Sequence, residues 1–191
     1  MRLTLICHAS TRAVRQAAFP EDEPLDAIGE AKARALAGLL RPADQVWSSP
    51  ALRARQTAQA LKLDAKLEPL LADCDYGRWS GQRLADIQTD EPDATFAWLS
   101  DPSAAPHGGE SIHSLLQRVA GWLDGLDANA DHIIAVTHAA VIRAAVIHAL
   151  GAGAEAFWRI DVNPLSLTDL RRSHGRWTLR ATGVEVAQRD D

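Results

Sequence analysis

Two histidines each close an apolar run: His8 follows LTLIC within LTLICHASTR, residues 3 to 12, and His138 follows HIIAVT. An imidazole so placed serves as packed filler, as helper to a neighbouring thiol, here Cys7, or as a nucleophile. Two other stretches carry complementary chemistry. SSPALRARQTA holds the donors Ser48, Ser49, Arg53, Arg55 and Thr57, and DCDYG holds Asp73 and Asp75. Histidines and an arginine at neighbouring strand ends suit an anion: a guanidinium grips phosphate, and the free backbone N–H groups after each strand receive it. Arg53 and Arg55 are two apart on a helix and point in different directions, so at most one enters a shared pocket.

The surrounding elements place these residues on one edge. RLTLI, residues 2 to 6, reads as a buried strand, QVWSS (45 to 49) as a second and HIIAVT (132 to 137) as a third. A helix starts at Asp26 as N-cap, with Ile28, Ala31, Ala35, Leu36, Leu39 and Leu40 at helical spacing, and Pro42 ends it. Pro50 marks the start of the helix ALRARQTAQALKL. Helical segments follow over about 82–88 and 91–99, within an insertion at about 82–108. Ile112, Leu115, Leu116, Val119, Trp122, Leu123 and Leu126 mark an amphipathic helix, and AAVIRAAVIHALG a helix closed by Gly151. The remainder, divided by NP and HG turns, predicts a strand pair at a sheet edge. Strands alternating with helices imply an α/β three-layer sandwich with a mostly parallel central sheet, in one domain over residues 1–191. In such a sheet ligands bind beyond the carboxyl ends of the strands, where His8 and His138 stand.

Composition excludes several classes. The formal charge of −5 gives no reason to expect nucleic acid as a partner, and no apolar run approaches membrane-spanning length. Two cysteines, Cys7 and Cys74, make no disulfide framework and point to a reducing, cytoplasmic setting. The N-terminus lacks the long apolar region of a secretory signal. The seven histidines show no metal spacing: His107 and His113 lie six apart, and no H-E-x-x-H occurs. Neither a metal nor a cofactor is therefore expected. Oligomeric state stays open, a homo-oligomer included.

The stretches LICHAST, VWSSPALRARQTAQAL, LADCDYGRWSGQ, PHGGESIHSLLQRV and IIAVTHAAVIRAAV occur in an order and at spacings that resemble the histidine phosphatase superfamily, which includes the cofactor-dependent phosphoglycerate mutases. The resemblance covers nearly the whole chain and points to the small phosphatase branch and the phosphoglycerate mutase-like fold. It implies hydrolysis of a small-molecule phosphate monoester through a phosphohistidine, without a metal. His8 matches the family's nucleophile, His138 its second histidine and Arg53 its second phosphate arginine. The family's proton donor is a glutamate shortly before an aromatic-glycine pair; here Asp73 stands there, one methylene shorter, with Glu110 in HGGES as the next choice.

One departure concerns the opening motif, Arg-His-Gly in the family and Cys7-His8-Ala9 here. A charge-assisted hydrogen bond contributes about 1.5–3 kcal/mol, so an uncompensated loss of the arginine lowers affinity or rate by roughly tenfold to a hundredfold. Arg12 or Arg15 on the same loop is positioned to compensate, and Ser10 and Thr11 add hydroxyl donors. The alternative function is a family member with impaired catalysis that binds a phosphate ligand or acts as a scaffold. A thiol route through Cys7 needs a C-x5-R loop, whereas CHASTR is C-x4-R without glycine, so Cys7 reads as a small buried residue. Trp79, Phe96, Trp98 and Trp158 are candidates for an apolar mouth around the substrate, the alternative and more usual place for such residues being the core.

Overall fold

The computed structural model describes residues 1–127 and 129–185. Six strands form one sheet: β1 (Arg2–Cys7), β2 (Gln45–Ser48), β3 (Lys66–Leu67), β4 (His132–Thr137), β5 (Leu167–Ser173) and β6 (Arg176–Val184), in the order β3-β2-β4-β1-β5-β6. The β1–β4, β2–β4 and β2–β3 pairs are parallel, and the β1–β5 and β5–β6 pairs are antiparallel. The helices are α1 (Arg12–Gln16), α2 (Ala27–Ala35), α3 (Leu52–Ala60), α4 (Leu84–Asp90), α5 (Pro92–Ser100), α6 (Ile112–Asp124) and α7 (Ala139–Leu150). This is the α/β sandwich with a mostly parallel sheet that the alternation implies, closed at one edge by the expected antiparallel pair.

Period-two alternation assigns the faces. Leu3, Leu5 and Cys7 of β1 and Ile133 and Ala135 of β4 pack with Leu115, Val119 and Trp122 of α6 and Val141 and Ala145 of α7. Ile6, Ile134 and Val136 face the other way, against Ala54 and Ala58 of α3. Strands buried on both faces explain why their sequences run apolar without interruption.

Helix α2 departs from expectation. Asp26 caps it through Gly29 N, but it stops at Ala35, and its inner face is Gly29 and Ala33 rather than Ile28, which is 54% exposed. The cause is close approach: a Cβ on Gly29 would stand 2.4 Å from the Ser10 carbonyl oxygen, so only glycine lets α2 lie against the loop after His8. Leu36 and Leu40, beyond the helix, still reach the α3 side of the sheet. The short α1 and the two-residue β3 had no pattern long enough to announce them.

Segments α4 and α5 match the two predicted helices. They contribute Ile87 and Trp98 to an apolar cluster with Phe19 and Trp79. Trp79 and Trp98 are thus core residues, the more usual of the two places open to them, and not part of a substrate mouth. Phe96 is exposed on α5, and Trp158 packs edge-on to Trp98. Among the described residues no helix is long and apolar enough to cross a membrane.

Candidate active site

Strand register brings the two histidines together. Cys7 pairs with Thr137 and Ser48 with Val136, so the residues after them leave three neighbouring strands side by side. His8 N donates to the Thr137 carbonyl at 2.8 Å and Ser49 N to the Val136 carbonyl at 2.9 Å. The His8 and His138 ring centroids are 5.2 Å apart. His8 Nδ1 lies 2.8 Å from the Ala9 carbonyl oxygen. A carbonyl only accepts, so Nδ1 carries the proton and Nε2 keeps its lone pair. Among the described residues Nε2 has no partner, and His8 lines a cavity of about 140 Å³ with Thr11, Asp73, Tyr76, Ala139 and Arg143. Thr57 ties this loop to α3: its Oγ1 accepts from Ala9 N at 2.9 Å and donates to the Arg53 carbonyl at 2.7 Å.

Arg53 is 3% exposed, with Nη1 donating to the Glu21 carbonyl and Nη2 to Asp73 Oδ2, each at 2.8 Å. The same Oδ2 lies 3.3 Å from His138 Nδ1, and His138 Nε2 lies 2.7 Å from Ser49 Oγ. Asp73 Oδ1 accepts from Cys74 N at 2.9 Å. One carboxylate oxygen thus holds Arg53 Nη2 and faces His138 Nδ1, which itself makes no hydrogen bond, where a bound oxyanion would take both. Arg53 and Ser49 line a second cavity of about 430 Å³, and Asp73 borders both cavities.

Burial sets the protonation states. Desolvation, reinforced by Arg53, lowers the pKa of His8 to about 4, and desolvation lowers that of His138 to about 3 against the pull of Asp73. Both rings are neutral at pH 7, as a nitrogen nucleophile requires. Burial pushes the Asp73 carboxyl up, but His138, Arg53 and His8 outweigh it and hold the group below the usual carboxylate range. At neutral pH, where the imidazoles are uncharged, Arg53 is the partner that keeps it ionised. The Cys7 thiol, 2% exposed in the α6–α7 core, is pushed up to about 12 by burial and the Asp73 charge, so it is protonated and inert.

These shifts have a sign in stability. The histidines take up protons near pH 6.5 when unfolded and only near 4 and 3 when folded, so between those values the unfolded chain binds more protons. Asp73, depressed in the fold, loses its contribution in the same direction as pH falls. The histidine contribution is therefore full above pH 6.5 and is lost as pH falls toward 3, with His8 alone accounting for about 3 kcal/mol by pH 4, and the Asp73 contribution is lost only below its unfolded value of 3.8. Thermal midpoints across this range are expected to fall steeply in the wild type and less steeply in His8→Asn. Equal slopes would show that the buried imidazole does not govern the acid limb.

The loop bearing Asp73 is clamped from behind. Arg118 on α6 donates to the carbonyls of Leu70, Ala72 and Asp73, and its fork takes both oxygens of Glu110 at 2.8 and 2.7 Å. Glu110 is therefore committed to Arg118 and is not brought to the His8 cavity; of the two carboxylates considered as proton donors, the structure presents Asp73. Gly109 lies against this loop so closely that a Cβ there would meet the Asp75 carbonyl oxygen at 2.1 Å. Gly109→Ala is expected to cost about 1–3 kcal/mol, lowering the thermal midpoint by several degrees and activity with it. A calorimetric midpoint matching the wild type would remove the clamp.

The residues expected to replace the missing arginine lie elsewhere. Arg12 is exposed with Nε on Gln16 Oε1, and Arg15 Nε is held 3.1 Å from Asp26 Oδ2. Ser10 Oγ donates to Asp26 as well, at 2.6 Å. The acidic residues Asp26 and Glu23 draw these donors away from His8. Thr11 does line the cavity, but its hydroxyl donates to Glu23 Oε1 and accepts from Val14 N as the cap of α1. Ser48 bonds the Ser49 carbonyl, leaving Ser49 as the serine of the site. Sequence reasoning missed Tyr76 and Arg143 as cavity residues. Arg143 carried a usable signal, because it stands four residues after Ala139 and so shares a helix face with the segment following His138.

Comparison with known proteins agrees with this geometry. The family model for the histidine phosphatase superfamily (branch 1) matches residues 3–185. An adenosylcobalamin/alpha-ribazole phosphatase of Escherichia coli is 30% identical, the match covering 98% of this chain and all of that protein. A bifunctional protein of Mycobacterium tuberculosis is 30% identical over 87% of this chain, and the match spans about half of that protein's length (49%). The crystal structure of the alpha-ribazole phosphatase from Shigella flexneri superposes with a TM-score of 0.86 at 27% identity over 96% of both chains. With two histidines leaving adjacent parallel strands and the family pattern running from Leu3 to Glu185, this chain belongs to the histidine phosphatase superfamily.

Proposed function

We propose that the chain is a metal-independent phosphomonoesterase of the histidine acid phosphatase type, acting on a small phosphorylated metabolite. His8 Nε2 attacks phosphorus and the ester oxygen departs with a proton from Asp73. Water then attacks the phosphohistidine, giving its proton to Asp73, and inorganic phosphate leaves. Arg53 and His138 donate to the phosphoryl oxygens, where the transition-state charge is spread. Asp73 starts ionised, bound to Arg53 and facing His138. A phosphate dianion takes those two partners for itself and sets its own negative charge beside the carboxylate, and both effects raise the Asp73 pKa until it can carry the proton.

The observation that carries this reading is the free Nε2 of His8, fixed in tautomer by Ala9 and sharing a cavity with Asp73. The phosphatase names of the relatives support the substrate class. A scaffold without turnover has only the Cys7 replacement in its favour, whereas His8 and Asp73 share one cavity and Arg53 is bonded to Asp73. The proposal takes residues 1–191 as one domain with the insertion at about 82–108, in a cytoplasmic setting that suits two free, buried cysteines. It is tested by offering a panel of phosphomonoesters, quenching in alkali and measuring intact mass. Turnover with a transient phosphoryl adduct on His8 is expected. Turnover in which the adduct never forms would overturn the phosphohistidine route, and no turnover across the panel would overturn hydrolysis.

A further inference from the structure

Cys7 removes a guanidinium from the nucleophile's side of the site, and neither Arg12 nor Arg15 returns one. The cavity that His8 lines nevertheless contains an arginine, Arg143 of α7. Its stem is half-buried and its orientation is fixed at two points. Nε donates to the Ile160 carbonyl at 2.8 Å, and Cζ lies 5.5 Å from the Phe157 ring centroid and 5.9 Å from that of Trp158. Among the described residues Nη1 and Nη2 make no hydrogen bond or ion pair within the chain, so both are free to donate to a ligand.

The same wall of the cavity is the start of α7. Ala139 and Ala140 line it, and α7 has no side-chain cap, so its first N–H groups have neither an intrahelical nor a capping acceptor. Arg143 is one turn further along that face. Arg53 lines the other cavity and meets Asp73, which borders both. Electrostatics agrees with the placement. Burial and Asp73 raise the Cys7 thiol pKa, and of the two arginines that oppose them Arg143 acts more strongly than Arg53.

We propose that Arg143 is a phosphate-binding residue, donating from Nη1 and Nη2 to the phosphoryl oxygens on the side of His8 from which Cys7 has removed the family's first arginine. The inference rests on the hydrolytic reading of the site for its ligand, a phosphoryl group. In it two guanidiniums, Arg53 and Arg143, flank the phosphorus, and the α7 N-terminus contributes backbone donors. The Phe157–Trp158 wall and the Ile160 carbonyl hold the fork in place, so little side-chain freedom is lost on binding.

The test compares wild type, Arg143→Met and Arg143→Lys by orthovanadate affinity from calorimetry, by kcat and KM for 4-nitrophenyl phosphate and glycerol phosphate, and by thermal midpoint. Arg143→Met is expected to weaken vanadate by roughly tenfold to a hundredfold and to lower kcat/KM equally for both esters. Arg143→Lys, with the charge but not the fork, falls between. A vanadate affinity within twofold of wild type in Arg143→Met overturns the assignment. So does a loss confined to one ester, which would put the guanidinium on the alcohol portion. If Arg143→Met does not fold, Arg143→Lys reads the same quantity: a loss of fivefold or more supports the assignment, and unchanged affinity overturns it. Vanadate binding is read without turnover. A wild type that binds vanadate but hydrolyses nothing, with binding lost in Arg143→Met, would sink the hydrolytic reading and leave the arginine's role standing.

Discussion

His8→Ala is expected to lower kcat/KM for phosphomonoesters by roughly 10⁴-fold or more, because the attacking atom itself is lost. The variant still contains Arg53, His138 and Asp73, so it should keep measurable affinity for inorganic phosphate while forming no phosphoprotein. Wild type and Cys7→Ser should behave alike, since the Cys7 thiol is protonated and packed in the α6–α7 core. Steady-state rates on 4-nitrophenyl phosphate, read with intact mass after quenching, decide the matter. Retained activity in His8→Ala, or activity lost in Cys7→Ser alone, would move the nucleophile off the imidazole.

Asp73→Asn is expected to separate substrates by their leaving groups. An alkyl phosphate expels a strongly basic alkoxide and needs the proton, so its kcat/KM should fall by roughly 10²–10⁴-fold. A 4-nitrophenolate leaves without help, and its kcat/KM should fall by about tenfold or less, with a burst of nitrophenol because the second step still lacks a base for water. Asparagine is nearly isosteric and can still accept from Arg53, which limits the structural damage. An equal loss on both esters would show that Asp73 only positions Arg53. The expected acid behaviour follows from the same contacts: the group begins below the usual carboxylate range and rises when the phosphate takes its partners.

Much of this was legible because the site is built where apolar runs end. The burial of β1 and β4 on both faces shows as RLTLIC and HIIAVT, and the next residue in line is His8 or His138. Asp26 was readable as a cap because a short acceptor before a helix bonds the orphan N–H groups, as it does at Gly29. Misreadings arose where a distant segment decided the outcome. Leu and Ile spacing suggested one inner face for α2, but the backbone of Ser10 lies so close that Gly29 and Ala33 must face inward. Glu110, the second choice after Asp73, is removed from contention by Arg118, eight residues on, which claims both of its oxygens. Arg12 and Arg15 seemed near His8 in the chain, yet Asp26 and Gln16 hold them. Arg143 was hidden inside AAVIRAAVIHAL, where it reads as a lone charge in a core helix, and its setting comes from Phe157, Trp158 and Ile160.

The bond from His8 Nδ1 to the carbonyl of Ala9 also settles a question of regiochemistry. Imidazole offers two sites for phosphorylation, and the products differ in hydrolytic lability and in nuclear magnetic resonance signature. With the nitrogen nearer the main chain turned onto a neighbouring peptide oxygen, only the remote one can carry the phosphorus. The tele isomer is accordingly the one a phosphorus spectrum of the trapped protein should contain, and the pros isomer has no room to arise.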